Sequence, residues 1–250
     1  MSEKVLYEEM TPREFLARLE KAPIAYLPLG TLEWHGPHLP LGTDGIIPTD
    51  LFKRLAEKIG GIVLPMLFMA PDNRYKVVDG KYLFGMDVWK DRYPKYEDQQ
   101  LPGSAYWVGD NFYVQLVHHI LMRLKRAGFE VVVVHGHGPA CNQFAANIEK
   151  WGKELGLKLF VVWPDDPSVD FGIPGDHAGS GETSMIMGFH PELVHMENLP
   201  TDPEVACLAL GPDDPRKYAS AERGKKAMGL MIDRMTPLLT EALSELKGKA

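Results

Sequence analysis

LPLGTLEWHGPHLPLGTD, residues 27 to 44, is the stretch from which the rest of the chain can be read. It holds Glu33, His35, His38 and Asp44, all oxygen or imidazole donors, among glycines and prolines that fix the backbone. The run that feeds it, Ile24 to Leu29, is short, apolar and bounded by Pro23 and Gly30. It therefore reads as a buried strand that delivers the donors just past its C-terminal end. Glu33 and His35 are alternate residues, so in extended backbone both leave on one side while Trp34 leaves on the other. Gly36, Pro37, Pro40 and Gly42 turn the chain and are expected to bring Asp44 back toward the pair without help from regular structure. A carboxylate returning in this way could bridge two cations. Mixed carboxylate and imidazole donors suit zinc, manganese or iron better than calcium, which prefers all-oxygen shells. The plain alternative is that these side chains only hydrogen-bond the loop, and a Glu-x-His pair alone does not decide.

Upstream, Thr11, Pro12 and Glu14 supply an N-cap, a first-turn proline and a capping-box partner, which predicts a helix from Pro12 to Lys21. Downstream, the spacing of Leu51, Phe52, Leu55, Ala56 and Ile59 predicts a helix from Thr49 to Ile59 stopped by Gly60 and Gly61, and Ile62 to Leu67 reads as the next buried strand. Strand, helix, strand in this order implies parallel neighbours in an α/β protein. A helix from Asn111 to Ala127 and a β-branched strand from Phe129 to Val134 repeat the unit, and that strand runs into His135, Gly136 and His137. Histidines at a parallel strand's C-terminal end lie where such sheets place their chemistry. Asn142 to Leu155 reads as a helix, Lys158 to Trp163 as a strand and Pro164 to Gly175 as a loop. A third cluster follows, Asp176, His177 and Glu182, with Glu182 in the first turn of a helix through Met187. Alone, it reads better as a helix start capped by Ser180, with Glu182 favouring the helix dipole. Ala219 to Leu246 is an amphipathic helix suited to cover the sheet.

Hydrophobic residues at 45% exclude a largely disordered chain, and a formal charge of −7 gives no basic face for nucleic acid or an anionic membrane. Met1 to Glu20 lacks the apolar core of a signal peptide, no run is long enough for a membrane span, and Cys141 and Cys207 form no disulfide framework. A cytoplasmic protein is expected. One domain over residues 1 to 250 is the economical organisation, interrupted at about 69 to 110 by a stretch without clear period. Arg74, Tyr75, Lys76, Tyr82, Trp89, Arg92, Tyr93 and Tyr96 in that stretch would form a lid, a subunit contact or a hairpin excursion. Arg74 and Lys76 suit a polyhydroxylated or anionic ligand, and Trp163 and Ser180 are further candidate substrate contacts. No G-x-G-x-x-G follows the first strand and no Walker-type loop is present.

With these clusters in hand the chain resembles the creatininase, or creatinine amidohydrolase, family over nearly its whole length. LPLGTLEWHGPHLPLGTD is similar to the family's leading signature, Leu101-Pro-Gly-Ser104 to its F-P-G-T, HGHG to its N-G-H-G and HAGSGETS to its H-A-G-x-x-E-T-S. The resemblance implies a three-layer α-β-α sandwich with a mostly parallel central sheet and two divalent ions, zinc, manganese or iron. Glu33, Asp44 and His137 would hold one ion, and His35 and Asp44 help hold the second, with Asp44 as the bridge. In creatinine-cleaving members a Glu where this chain has Pro139 completes the ligand set, and Glu182, the carboxylate at the third cluster's helix start, is the expected substitute ligand. Asp176 and His177 match the family's catalytic pair, His177 carrying a proton and Asp176 influencing its charge and orientation, while His38 buttresses the loop. His135, Ala140 and Ile173 depart from the family's Asn, Asn and aromatic, which argues against creatinine as substrate.

The function expected is a metal-dependent hydrolase in which hydroxide generated at the metals attacks a carbonyl of a small cyclic or formyl amide. A second reading keeps the site but opens a cyclic ketone, such as an oxidised inositol of the 3-dehydro-scyllo-inosose type, by breaking a carbon to carbon bond. Trimming a small peptide's end is a third. A reading of another class is a catalytically silent protein that binds a metabolite. The resemblance further implies a small-molecule substrate and a homo-oligomer, hexamers being common in the family.

Overall fold

A computed structural model of the chain describes residues 3–71, 75–88, 90, 97–164 and 166–248. Arg74, Trp89, Arg92, Tyr93 and Tyr96, expected in a lid or ligand contact, lie outside the described residues. The first helix, α1 (Pro12–Lys21), starts at the expected capping box: Thr11 Oγ1 accepts from the Glu14 N–H, and the Glu14 carboxylate accepts from the Thr11 N–H at 2.7 Å. Strand β1 (Ile24–Leu29) follows with every residue buried. Helix α2 spans Thr43–Ile59, so it starts well before Thr49 and carries Asp44 in its first turn. The expectation that Asp44 is delivered by irregular backbone is therefore corrected. Pro48 inside this helix forfeits the helical bond to the Asp44 carbonyl, about 3 kcal/mol. Burial of Ile47, Leu51, Phe52 and Leu55 at roughly 1.5–3 kcal/mol each outweighs that loss.

Strand β2 (Ile62–Val63) ends before Pro65, which cannot donate to a ladder, and Leu67 makes only an isolated bridge to Leu29. The irregular stretch contains β3 (Ala70–Pro71), the antiparallel hairpin of β4 (Tyr75–Val78) and β5 (Lys81–Phe84), and β6 (Trp107–Val108), which pairs β3. Helix α3 (Asp110–Arg126) leads to β7 (Val131–Gly136), which runs on through His135 because β1 pairs it as far as Leu29 opposite Gly136. The helix expected from Asn142 to Leu155 is two, α4 (Gly138–Ala145) and α5 (Ile148–Leu155). At the break the Asn147 side-chain amide donates to the Gln143 carbonyl at 2.8 Å, taking the acceptor a continuing helix would use. Strand β8 (Lys158–Val161), α6 (Ser180–Phe189), α7 (Pro215–Tyr218) and α8 (Ala221–Lys247) complete the chain.

The main sheet has the order β2-β1-β7-β8, all parallel. Side chains alternate along its central strands. Tyr26, Val131 and Val133 pack toward Leu51, Phe52, Met185 and Met231 of α2, α6 and α8, while Leu27, Val132 and Val134 pack toward Tyr113, Phe144 and Trp151 of α3, α4 and α5. Helices thus cover both faces, giving the expected three layers. Helices α6 and α8 meet at Gly224, where an added Cβ would sit 1.9 Å from the Ser184 carbonyl oxygen, so only glycine permits that crossing. After β1 the chain steps to β2 on one side and later to β7 on the other. The ends of β1 and β7 therefore flank the switch point at which open α/β sheets bind ligands. None of the described helices is long and apolar enough to cross a membrane.

Candidate metal centre and its cavity

Glu33 and His35 follow β1, Asp44 opens α2, His137 follows β7, and His177 and Glu182 flank the start of α6. Their donor atoms form three sets, each within 4.8 Å: Glu33, Asp44 and His137; His35, Asp44 and Glu182; and Glu33, His35 and His177. One oxygen of Asp44, Oδ2, lies 3.0 Å from His137 Nδ1 and 3.5 Å from His35 Nε2, so this carboxylate would be shared between two neighbouring ions. Glu182 Oε2 is 3.7 Å from the same His35 nitrogen, whereas Pro139 is exposed on α4. The backbone holds this arrangement. His35 Nδ1 donates to the Glu33 carbonyl at 3.0 Å, which leaves the lone pair of Nε2 for a cation. That Nε2 is buried and has no hydrogen-bond partner among the described residues, so the donor set fits a metal ion better than a closed hydrogen-bond network. The Trp34 N–H donates to Ser104 Oγ at 3.0 Å, tying the Leu101 to Ser104 motif to the loop. His38 enters none of the sets. Its Nε2 meets Thr183 Oγ1 at 2.9 Å and so joins the loop to α6.

The electrostatics ask for positive charge. Burial pulls His35 and His137 down, but Asp44, with Glu182 and Glu33, overrides it and carries them up to about 10 and about 9. Burial pushes Asp44 up, and the two imidazoles outweigh it and hold Asp44 well below the usual carboxylate range. Glu182 rises to about 8, through burial first and then the neighbouring Asp44 and Asp176 carboxylates, against the pull of His35. The histidines thus take up protons in the place where a metal would supply the charge.

His177 and Asp176 behave differently from each other. His177 Nε2 is 2.7 Å from the Trp34 carbonyl, which only accepts, so Nε2 carries the proton and Nδ1 is bare, 4.0 Å from Glu33 Oε2. Burial and the neighbouring His35 keep this imidazole well below its usual range. Asp176 was expected to orient His177, and among the described residues no hydrogen bond joins their side chains. Its carboxylate accepts instead from the Gly181 N–H at 2.7 Å and the Glu182 N–H at 3.1 Å, capping α6. The open N–H groups of a helix start claim a carboxylate that can reach them, and Gly179 and Gly211 leave it room. Ser180, expected as the cap and as a substrate contact, is the first residue of α6, fully buried, with its hydroxyl on Asp213 at 3.5 Å.

A cavity of about 520 Å³ opens at the C-terminal end of the sheet. Asp44 and Glu182 form its floor, so it meets the centre on the side of the His35, Asp44 and Glu182 set. The walls carry Trp163, as expected, and also His135, Asn142 and Asp176, with Ile47, Pro48, Ile173, Met185 and Met231 on the apolar side. Sequence reading assigned no ligand contact to His135 or Asn142. Val131, Val133 and His135 alternate on one face of β7, and that period was the signal available for His135. Lys76, expected at the substrate, sits on the exposed hairpin 2.5 Å from Asp98 and outside the cavity wall, because a two-stranded excursion carries it away from the sheet. Arg74 lies outside the described residues.

Paired parallel strands that present carboxylates and imidazoles at their C-terminal ends, beside a cavity, are the arrangement of a metal-dependent hydrolase built on an α/β fold. The creatininase family model, described as creatinine amidohydrolase, matches residues 8–80 and 93–239, and the chain belongs to that family. Creatinine amidohydrolase of Pseudomonas putida is 26% identical over 275 residues, covering 96% of this chain and 98% of that protein. The 3-dehydro-scyllo-inosose hydrolase of Thermotoga maritima is 22% identical over 205 residues, covering 77% of this chain and 58% of that protein. A solved manganese creatininase matches with a TM-score of 0.69 and a mutant creatininase of zinc–zinc type with 0.70, each 24% identical and covering 96% of this chain and 98% of the other. These structures establish the shared fold.

Proposed function

We propose that the chain is a two-metal amidohydrolase of a small cyclic or formyl amide other than creatinine. The observation that carries the reading is that the cavity is lined by Asp44 and Glu182, two carboxylates of one donor set, and that Asp44 also belongs to the Glu33, Asp44 and His137 set. Glu33, Asp44 and His137 would hold one divalent ion and His35, Asp44 and Glu182 the other, with zinc and manganese, the metals of the solved relatives, as the first candidates. Two such ions lower the pKa of water toward neutrality and polarise a carbonyl. Glu182 supplies from α6 the oxygen that Pro139 cannot. His177 Nδ1, bare and facing Glu33, accepts the proton that water gives up and returns it to the departing nitrogen, while Nε2 stays fixed on the Trp34 carbonyl. Ile47, Pro48, Ile173, Met185 and Met231 shield the substrate from water.

The keto-inositol reading uses the same donors, and the P. putida and T. maritima relatives represent the two chemistries by name. The apolar part of the lining favours the amide, because a polyol hydroxyl turned toward Ile47, Ile173, Met185 or Met231 would lack a partner there, at roughly 1–3 kcal/mol. The deciding experiment measures metal content after reconstitution with zinc or manganese, for the parent, Asp44→Asn and Glu182→Gln, and then turnover on cyclic amides and keto-inositols. Two equivalents are expected in the parent, about one in Glu182→Gln and neither in Asp44→Asn, with amine or formate released. No metal uptake by the parent would overturn the reading in favour of a silent binder. A ring-opened keto acid with no amide turnover would replace it by carbon to carbon cleavage.

A further inference from the structure

Four histidines around the centre have hydrogen-bond partners: His35 on the Glu33 carbonyl, His38 on Thr183, His137 on Asp44 and His177 on the Trp34 carbonyl. His135 does not. It is 7% exposed, lines the cavity and makes no side-chain hydrogen bond to any described residue. Its ring nitrogens are not among the fully buried unpaired atoms of the described residues, so they open on the cavity, where water or a ligand can pair with them. Asn142 from α4 and Asp176 share the wall with it, and no described lysine or arginine lines the cavity.

We propose that His135 is the specificity-determining residue of this site, and that it reads an N–H beside a C=O on the edge of an uncharged ring such as a lactam, cyclic imide or cyclic urea. The inference rests on the amidohydrolase reading and names its substrate class. A neutral imidazole offers one N–H and one bare nitrogen, so a ring edge with one acceptor and one donor satisfies both, and the exposed Asn142 amide on the same lining offers the same complement. The lining carries the carboxyl groups of Asp44, Asp176 and Glu182 and no described lysine or arginine, so a carboxylated ring would meet no side-chain cation there.

The test is calorimetric binding to the metal-loaded protein of two matched pairs, dihydrouracil against dihydroorotate and hydantoin against hydantoin-5-acetic acid. The proteins are the parent, His135→Phe and His135→Asn, each with its metal content and turnover measured. The parent should bind a neutral ring at least about tenfold more tightly than its carboxylated partner. His135→Phe should lose about tenfold in affinity for the neutral ring with metal content unchanged, and His135→Asn should recover part of it, since an amide restores one donor and one acceptor. Equal binding of a carboxylated ring, unchanged affinity in His135→Phe, metal loss in that variant, or binding of no ring would overturn the proposal. Binding that depends on His135 without hydrolysis would sink the amidohydrolase reading and leave the role of His135 standing. Hydrolysis indifferent to His135 would do the reverse.

Discussion

Replacing Gly224 with alanine should destabilise the protein and loosen one half of the metal centre while sparing the other. The added Cβ would lie 1.9 Å from the Ser184 carbonyl oxygen, 2.4 Å from its carbon and 2.9 Å from the Met185 nitrogen. All three atoms are α6 backbone and cannot swing aside as a side chain would. Ordinary contact at about 3.5 Å requires α6 and α8 to part by roughly 1.5 Å. Overpacking of this kind costs about 1–3 kcal/mol, and a clash with backbone belongs at the upper end. Alanine's better helix propensity returns about 1 kcal/mol, so the net loss is about 2 kcal/mol. For a chain of this size that lowers the melting temperature by roughly 4–8 °C. Glu182 lies one half-turn before Ser184, so the shift draws its carboxylate away from His35, now 3.7 Å distant, without touching Glu33, Asp44 or His137. Calorimetric unfolding and a metal titration read both effects. An unchanged or higher melting temperature, or equal weakening of both metal positions, would refute the reasoning.

Asp176→Asn replaces one cap acceptor with a donor facing an N–H, so hydrogen exchange at Gly181 and Glu182 should quicken at least about tenfold, and unchanged protection there would remove Asp176 as the α6 cap. Glu14 gives a pH signature: the Thr11 N–H first, then Lys4 and the Thr11 hydroxyl, hold its carboxyl down at about 2 against an ordinary value of 4.5. The lowered pKa means its stabilisation is complete above pH 4.5 and is lost as pH falls through about 2. Urea unfolding of the parent and of Glu14→Gln should therefore differ by a constant amount at neutral pH and converge in acid, and a gap that widens in acid would contradict the capping box. Burial pushes the thiols of Cys141 and Cys207 up to about 12 and about 11, so both should resist a disulfide reagent at pH 8 until the protein unfolds, and prompt labelling of the native state would contradict their burial.

What was legible in the chain was what local chemistry decides. The capping box placed α1, and the bounded apolar run placed β1 with the donors beyond it, because each signal lies within a few residues of its effect. Errors arose where a residue's local habit was overruled from a distance. The apolar spacing predicts a helix only from Thr49, but the core on α2 carries it back through Pro48 to include Asp44. Asn147 looked like an ordinary helix residue, and its side chain ends α4 by taking the Gln143 carbonyl. Asp176 beside His177 read as a chemical pair, yet a helix start brought within reach by folding claims the carboxylate. Lys76 looked suited to a ligand by its charge, and a hairpin places it on Asp98 instead. His135 could be assigned to a face by alternation, but that face becomes a cavity wall only once α2, α6 and the segment after β8 close over it.

The neighbouring strands β1 and β7, locked from Ile24 opposite Val131 to Leu29 opposite Gly136, hand Glu33, His35 and His137 to the centre from adjacent ends. Trp163, Pro164, Ile173, Pro174 and Gly175 also line the cavity, and none of them belongs to any of the three donor sets. Changes at these residues can therefore reshape the mould while leaving the tool in place, whereas a change at His135 falls on the same strand end that delivers His137.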